Sequence, residues 1–213
     1  LAPPHGIECA RRFVEENEGG IVHHRLREAD TLQHALREGA QAVLALAFQP
    51  PLRGDGGSRD QDSYEHIFDA FYRGVIDAGA QARIVHANQL GSDAGAFAIS
   101  NPVLMVPGFY IATDAELQFL RDYAASGGHL ILGPRTGYAD DEARARAAVA
   151  PAFLAEKAGS WYEEFSNLDS PLTLTAPGAF ALSPDARATS WVDGLIVESA
   201  EVLARYEHPE LGR

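Results

Sequence analysis

Two blocks of the chain show the same order of apolar and polar residues. Each block begins with a short, uninterrupted apolar run, Val43–Phe48 in the first and Val103–Val106 in the second. Such runs are typical of strands that are buried on both faces of a parallel sheet. A segment of helical period and a second apolar run follow each of them. The pattern therefore predicts two strand-helix-strand units.

The helix of the first unit is the clearest one in the sequence. Asp62 can cap its N-terminus, and Glu65 stands three residues later, as in a capping box. Apolar residues then recur every three or four positions until Gly79, where the helix is predicted to end. These apolar residues are Tyr64, Ile67, Phe68, Phe71, Tyr72, Val75 and Ile76. Residues 82–85 supply the next strand, and the crossover is expected to be right-handed.

The second unit repeats this arrangement. Thr113 and Glu116 form another capping box at the start of a helix that Gly127 and Gly128 end. The strand at residues 129–132 follows directly. Two such units in succession predict an α/β fold with a doubly wound, mostly parallel sheet and helices on both of its faces.

The two ends of the chain are less regular. A helical pattern that stops near Gly39 makes residues 1–40 a lead-in segment with a helix, and we treat residues 41–213 as one α/β domain. A short helix is predicted near residues 151–158. Short strands are predicted at 161–165, 172–175, 189–192 and 202–206. The chain starts at Leu1 without Met and ends at Arg213, which suggests a piece of a longer protein, made either by proteolysis or by a chosen boundary.

Composition narrows the classes of partner. The formal net charge of −13 disfavours nucleic acid and anionic membranes, and no apolar run reaches the length of a membrane span. The single cysteine, Cys9, excludes an internal disulfide and fits a reduced, cytoplasmic compartment. A neutral substrate or another protein is the expected partner.

The usual catalytic and cofactor motifs are incomplete. Residues 49–61, rich in Pro, Gly and charge, are predicted to form an exposed loop at the carboxyl end of the first strand. Gly54, Gly56 and Gly57 in this loop do not have the spacing of a dinucleotide-binding loop. No G-x-S-x-G or G-x-C-x-G turn is present to hold a nucleophile, and the adjacent histidines His23 and His24 lack metal-ligand spacing. Adjacent acidic pairs point apart and cannot face each other across a glycosidic bond. We therefore predict no catalytic residue, metal or cofactor in this chain.

The loop at residues 133–144, GPRTGYADDEAR, is the segment with most potential for function. It follows the fourth predicted strand, and loops at the carboxyl ends of strands line the crevice of open α/β sheets. Arg135 can either clamp an oxygen-rich ligand or pair with the Asp140 and Asp141 cluster to hold the loop. Pairing of Arg135 with Asp140 and Asp141 is the favoured alternative, because acidic residues outnumber basic ones in this chain.

Several features occur in an order that resembles the middle domain of glycoside hydrolase family 42 β-galactosidases. That domain has an aromatic pair on a helix, a strand ending in Pro, a helix ending in Gly-Gly, an R-S/T-G-x-x-D turn and a later Glu-Phe pair. The corresponding residues here are Phe71 and Tyr72, Val106 and Pro107, Gly127 and Gly128, Arg135, Thr136, Gly137 and Asp140, and Glu164 and Phe165. The resemblance covers residues 41–206. The family often has a Trp soon after the first strand, where this chain has Gln49.

The resemblance implies a flavodoxin-like fold, similar to class I glutamine amidotransferases without their nucleophile. It implies that the catalytic glutamates lie on an N-terminal (β/α)8 barrel of the same polypeptide and that this domain helps assemble a homotrimer. The β-galactoside substrate would be bound mainly by the barrel, and a β-sandwich would follow this domain. The candidate pocket or interface residues are Arg135, Thr136, Tyr138 and Asp140.

Two other functions stay open at this point. A stand-alone amidotransferase-like enzyme would need an activated nucleophile, for which Cys9 is the remaining thiol. A carbohydrate-binding module would bind galactosides without hydrolysing them. Activity lost on replacing Cys9 would support the first, and saturable galactoside binding would support the second.

Overall fold

The structure, a computed structural model, describes residues 22–23, 43–48, 63–77, 79–176, 182 and 184–208. Its central sheet has five strands in the spatial order β1-β5-β4-β2-β3. These strands are β1 (Val22–His23), β2 (Val43–Phe48), β3 (Gln81–His86), β4 (Val103–Val106) and β5 (His129–Leu132). β2, β3, β4 and β5 are parallel to one another, whereas β1 pairs with β5 in the antiparallel direction.

The helices follow the strands as the capping and apolar patterns predicted, with one addition. They are α1 (Ser63–Asp77), α2 (Ala94–Ser100), α3 (Asp114–Ala125) and α4 (Ala155–Ala158), and 3-10 turns occupy Ala87–Gln89 and Ala152–Leu154. The predicted helices α1 and α3 are confirmed, including the reciprocal capping box of Thr113 and Glu116. α2 was not predicted, because its sequence AGAFAIS is short and shows no clear period.

Apolar side chains pack on both faces of the central sheet. The four residues of β4 are all buried and fall alternately into two clusters. Leu104 packs in the cluster that contains Leu117 of α3, whereas Met105 packs in the cluster that contains Phe71 of α1. Helices therefore cover both faces, and the molecule is a mixed α/β domain with a partly parallel sheet.

The Gly-Gly pair after α3 is explained by the packing of one tyrosine. Tyr123 is fully buried, and its hydroxyl donates a hydrogen bond to the carbonyl oxygen of Asn101 at 2.8 Å. Gly127 has φ +92°, which favours glycine. A Cβ on Gly128 would lie 2.3 Å from Cζ of Tyr123, so only glycine fits beside the ring.

The remaining strands form two small antiparallel sheets. They are β6 (Ser160–Asn167), β7 (Leu172–Thr175), β8 (Arg187–Ala188), β9 (Trp191–Val197) and β10 (Arg205–Tyr206). β6 and β9 form a two-stranded ribbon, here called the β6–β9 ribbon, and β7 lies between β10 and β8. β6 and β7 lie where strands were predicted. The strand predicted at 189–192 overlaps β9 only at residues 191–192, and β10 covers only the last two residues of the strand predicted at 202–206. β8 was not predicted. The predicted lead-in helix, Cys9 and the loop at 49–61 lie outside the described residues.

Candidate functional site

The loops that follow β4 and β5 are joined through their backbones. The amide of Gly137 donates to the carbonyl oxygen of Phe109 at 2.8 Å, and that of Ala139 donates to the carbonyl oxygen of Tyr110 at 3.0 Å. Gly133 allows the two loops to approach closely, because a Cβ there would lie 2.8 Å from the Gly108 nitrogen and the Pro107 Cα. The two loops therefore form one unit at the carboxyl edge of the sheet.

The R-T-G turn lies inside this unit and is largely buried. Arg135 has φ 59° and Gly137 has φ 71°, so the turn uses the left-handed region twice. The Thr136 hydroxyl donates to the carbonyl oxygen of Gly133 at 2.9 Å. Arg135 and Thr136 expose only 6% and 1% of their surface. A hydrogen bond inside the turn therefore stabilises it, and these two side chains are almost hidden from solvent.

Three aromatic rings surround the Arg135 guanidinium, and we call them the aromatic cage: Tyr110, Phe165 and Trp191. The guanidinium carbon lies 4.2 Å from the ring centroid of Tyr110, 4.4 Å from that of Trp191 and 5.4 Å from that of Phe165. All three distances fall within the range of cation–π attraction. Phe165 also stacks on Trp191, with ring centroids 4.6 Å apart. The cage thus joins the loop after β4 to the β6–β9 ribbon.

A buried carboxylate, Asp193, completes the cluster. Its Oδ2 accepts a hydrogen bond from the backbone amide of Arg135 at 2.9 Å, and its Oδ1 accepts one from Trp191 Nε1 at 2.7 Å. Burial raises the pKa of Asp193 from 3.8 to about 6, although these two hydrogen bonds and the Arg135 charge act to lower that pKa. The backbone carbonyl of Asp193 accepts a hydrogen bond from the Tyr206 hydroxyl. Asp193 therefore connects the turn, the cage and β10.

Two further tyrosines line the cluster. Tyr138 stacks on Tyr110 with ring centroids 5.4 Å apart and meets Phe165 edge-on at 5.6 Å. Tyr162 is buried, and within the described part of the chain its hydroxyl makes no hydrogen bond. Burial, and after it the negative charge of Asp193, raise the pKa of the Tyr162 hydroxyl. The cluster is thus mainly aromatic, with one cation and one buried acid.

Arg144, and not the expected Arg135, is the arginine that binds Asp140. Arg144 Nε donates to Asp140 Oδ2 at 3.1 Å, while Asp140 Oδ1 accepts the amides of Glu142 and Arg144 at 3.0 and 2.9 Å. These contacts lower the pKa of Asp140. The sequence interpretation that paired Arg135 with Asp140 is corrected, because the turn directs Arg135 inward toward the cage. Among the described residues, Asp193 accepts a hydrogen bond from the Arg135 backbone amide and interacts with the Arg135 charge, although it is 58 positions away.

Asp140→Ala should loosen this loop without disturbing the fold. The substitution removes the acceptor for two backbone amides and the ion pair with Arg144. Residues 140–146 should therefore open more often and enter a protease active site more readily. We expect trypsin to cleave after Arg144 several-fold faster than in the parent chain, as measured by mass spectrometry of timed digests. Asp141→Ala is the matched control, since Asp141 is exposed. Equal cleavage rates in the two variants would contradict a holding role for Asp140.

The four predicted site residues occupy two different environments. Arg135 and Thr136 are buried, whereas Tyr138 and Asp140 are half-buried at the rim of the same loop. Sequence reasoning missed Asp193 and its neighbour Trp191. An acid within the apolar strand WVDGLIV is the signal that could have revealed Asp193, because a charge in such a strand requires partners.

Neither a metal site nor a membrane-spanning helix is found among the residues that the structure describes. No group of three or more His, Cys, Asp or Glu side chains among them is placed to hold a metal ion. None of the helices that the structure describes is long and apolar enough to cross a membrane.

The fold and the site together define a mixed α/β domain whose strand-end loops are packed against its own C-terminal strands. The sequence profile of the β-galactosidase trimerisation domain matches residues 50–212. The chain therefore belongs to the trimerisation-domain family of glycoside hydrolase family 42 β-galactosidases. This match does not favour the two alternatives, a stand-alone amidotransferase-like enzyme and a carbohydrate-binding module.

Individual relatives agree with this family. The chain is 25% identical over 152 residues to β-galactosidase Bga of Halorubrum lacusprofundi, a match that covers 68% of this chain and 21% of that protein. The solved β-galactosidase structure from the same organism has a TM-score of 0.61 at 23% identity, over 85% of this chain and 28% of that one. Gan42B, a GH42 β-galactosidase from G. stearothermophilus, has a TM-score of 0.64 at 15% identity, over 85% and 27%. The structural matches support the fold, and the chain spans less than a third of each of these three proteins.

Proposed function

We propose that this chain is the non-catalytic subunit-association domain of a longer, retaining β-galactosidase that hydrolyses terminal β-D-galactosides. The catalytic glutamates would lie outside it, on an N-terminal (β/α)8 barrel. Two observations support this proposal: the family that matches residues 50–212 is a trimerisation domain, and the chain corresponds to 21% of the Halorubrum β-galactosidase. Residues 1–40 would be a lead-in from the barrel, and residues 41–213 the association domain.

The observation that carries the non-catalytic role is that side chains are packed over the carboxyl ends of β4 and β5. Open α/β sheets bind ligands in the crevice beyond the carboxyl ends of their strands. In this molecule Arg135 and Thr136 are buried just beyond β5, and the Arg135 guanidinium packs over the buried ring of Trp191. A substrate would have to displace these side chains, so the edge is better suited to holding shape than to binding a ligand.

We further propose the flavodoxin-like, doubly wound topology of class I glutamine amidotransferases. The parallel strands numbered in chain order follow the arrangement 2-1-3-4, which is the start of the flavodoxin order 2-1-3-4-5. The two apolar clusters on opposite sides of β4 support helices on both faces. The short antiparallel strand β1 takes the fifth position.

The proposed partners are two further copies of the chain and its own barrel. Half-buried Tyr138 and Asp140, together with the exposed residues 141–145, form the rim that could reach them. Arg135 and Thr136 would shape this rim from behind. The loop predicted at 49–61 is a second proposed contact, and the β-galactoside would be bound mainly by the barrel. The single cysteine supports a cytoplasmic location.

The test combines the mass of the 213-residue chain in solution with its activity. Light scattering is expected to give the mass of a trimer, and the same sample should not hydrolyse a chromogenic β-galactoside. Measurable turnover that survives a second purification step would refute the non-catalytic role. A monomer at all concentrations would refute association through this chain alone.

A further inference from the structure

We propose that the aromatic cage is a guanidinium-binding site that the chain fills with its own Arg135, and that this internal ligand latches the β6–β9 ribbon onto the central sheet. The inference goes beyond the proposed assembly role and does not depend on it. It rests on the contacts of Arg135, on its counter-charge and on its backbone conformation.

The contacts of Arg135 join parts of the fold that are distant in sequence. Tyr110 belongs to the loop after β4, whereas Phe165 and Trp191 belong to the two strands of the ribbon. The guanidinium lies within cation–π distance of all three rings. The backbone amide of the same residue reaches Asp193 of the ribbon. One residue of the central sheet's loops thus holds the ribbon through both its side chain and its backbone.

The ribbon also supplies the counter-charge that a buried cation requires. Asp193 is buried, and its interaction with Arg135 favours the ionised carboxylate. The same carboxylate accepts the indole N–H of Trp191 and thereby orients one wall of the cage. Burial, and after it the charge of the same carboxylate, raise the pKa of the Tyr162 and Tyr206 hydroxyls. The site therefore has the two parts of a cation receptor, aromatic walls and one fixed anion.

The backbone at Arg135 gives independent support. Arg135 has φ 59°, in the left-handed region that residues other than glycine rarely adopt. Two residues later the same turn uses Gly137 at φ 71°. Strain at a non-glycine residue persists where the surroundings of that residue compensate for it. The cage contacts compensate for the strain at Arg135. Glycine at position 135 would remove the strain, but it would also remove the side chain that makes these contacts.

The chemistry of the cage favours guanidinium over ammonium. A guanidinium is planar and weakly hydrated, so it can leave water and stack against aromatic rings. The ammonium group of lysine is compact and strongly hydrated, and it cannot cover the faces of two rings in the same way. Lysine at position 135 should therefore keep the charge but lose the latch.

The experiment uses Trp191 as a reporter of the cage. Trp161→Phe leaves Trp191 as the sole tryptophan, because the chain has 2. In this background Arg135→Ala should lower the urea midpoint and shift Trp191 emission to longer wavelength, since water enters the cage. Guanidinium at tens of millimolar should restore both properties along a saturating curve. Ammonium at the same ionic strength should not.

Two further variants make the outcome decisive. Arg144→Ala removes an exposed arginine and should show no guanidinium-dependent change in Trp191 emission. Arg135→Lys should resemble Arg135→Ala in its urea midpoint. The proposal is overturned if Arg135→Lys matches the parent chain, if ammonium restores Arg135→Ala as well as guanidinium does, or if Arg135→Ala changes neither property. Where Arg135→Ala does not fold, the comparison of Arg135→Lys with the parent decides.

Discussion

Gly133→Ala is expected to destabilise the domain by about 3 kcal/mol, because the added Cβ meets backbone atoms that cannot rotate away. The Cβ would lie 2.8 Å from both the Gly108 nitrogen and the Pro107 Cα. The Gly133 amide donates to the carbonyl oxygen of Val106 at 3.0 Å, which fixes Gly133 against β4. Relief of the clash would require the loops after β4 and β5 to separate.

Urea unfolding followed by far-ultraviolet circular dichroism measures this loss. Gly95→Ala is the matched control, because a Cβ on Gly95 of α2 would make only ordinary contacts, at 3.5 Å and beyond. Alanine is favoured over glycine inside a helix, so this control should leave stability unchanged or raise it by up to about 1 kcal/mol. Equal stability of the two variants would show that the loops are not packed as closely as described.

The difference in unfolding free energy between the parent chain and Asp193→Asn should change by about 3 kcal/mol between about pH 4 and about pH 7. Burial raises the pKa of Asp193 from 3.8 to about 6. As the pH rises above 3.8, the unfolded chain releases this proton while the folded chain retains it, so unfolding becomes easier until the pH passes about 6. The stabilising contribution of Asp193 is therefore complete at the acidic end and lost near neutral pH.

The measurement compares the unfolding free energy of the parent and of Asp193→Asn across this pH range. Other titrating groups contribute equally to both proteins, so the difference isolates Asp193. Relative to the variant, the parent should be more stable at the acidic end than near neutrality. Asp141→Asn, at an exposed position, should follow the parent at every pH. A constant difference between parent and Asp193→Asn would contradict the raised pKa.

The elements that the sequence predicted correctly are those encoded by short-range patterns. The apolar run of β4 and the capping box at Thr113 depend on residues within a few positions of each other, and the structure has both. The ordered motifs also pointed to the family that the profile match assigned. Helix α2 was missed, since its seven residues are too few to show a clear helical period.

The cluster around Arg135 was beyond prediction from sequence. Arg135 and Asp193 are separated by 58 positions, and their meeting depends on where the β6–β9 ribbon packs. Several acids stand nearer in the sequence, so Asp140 looked like the natural partner. A left-handed backbone angle at Arg135 sets the direction of its side chain. An arginine at this position gives no indication of that angle in the sequence.

The sequence by itself determined the mixed α/β class, the two strand-helix-strand units and the family of this protein, because periodicity, caps and motif order are local properties. Only the tertiary structure decided that Arg135 and Thr136 are buried and that Tyr138 and Asp140 stand at the rim. The physical reason is that burial, counter-charge and aromatic contact depend on distances through space, and the ribbon that creates them here lies far along the chain.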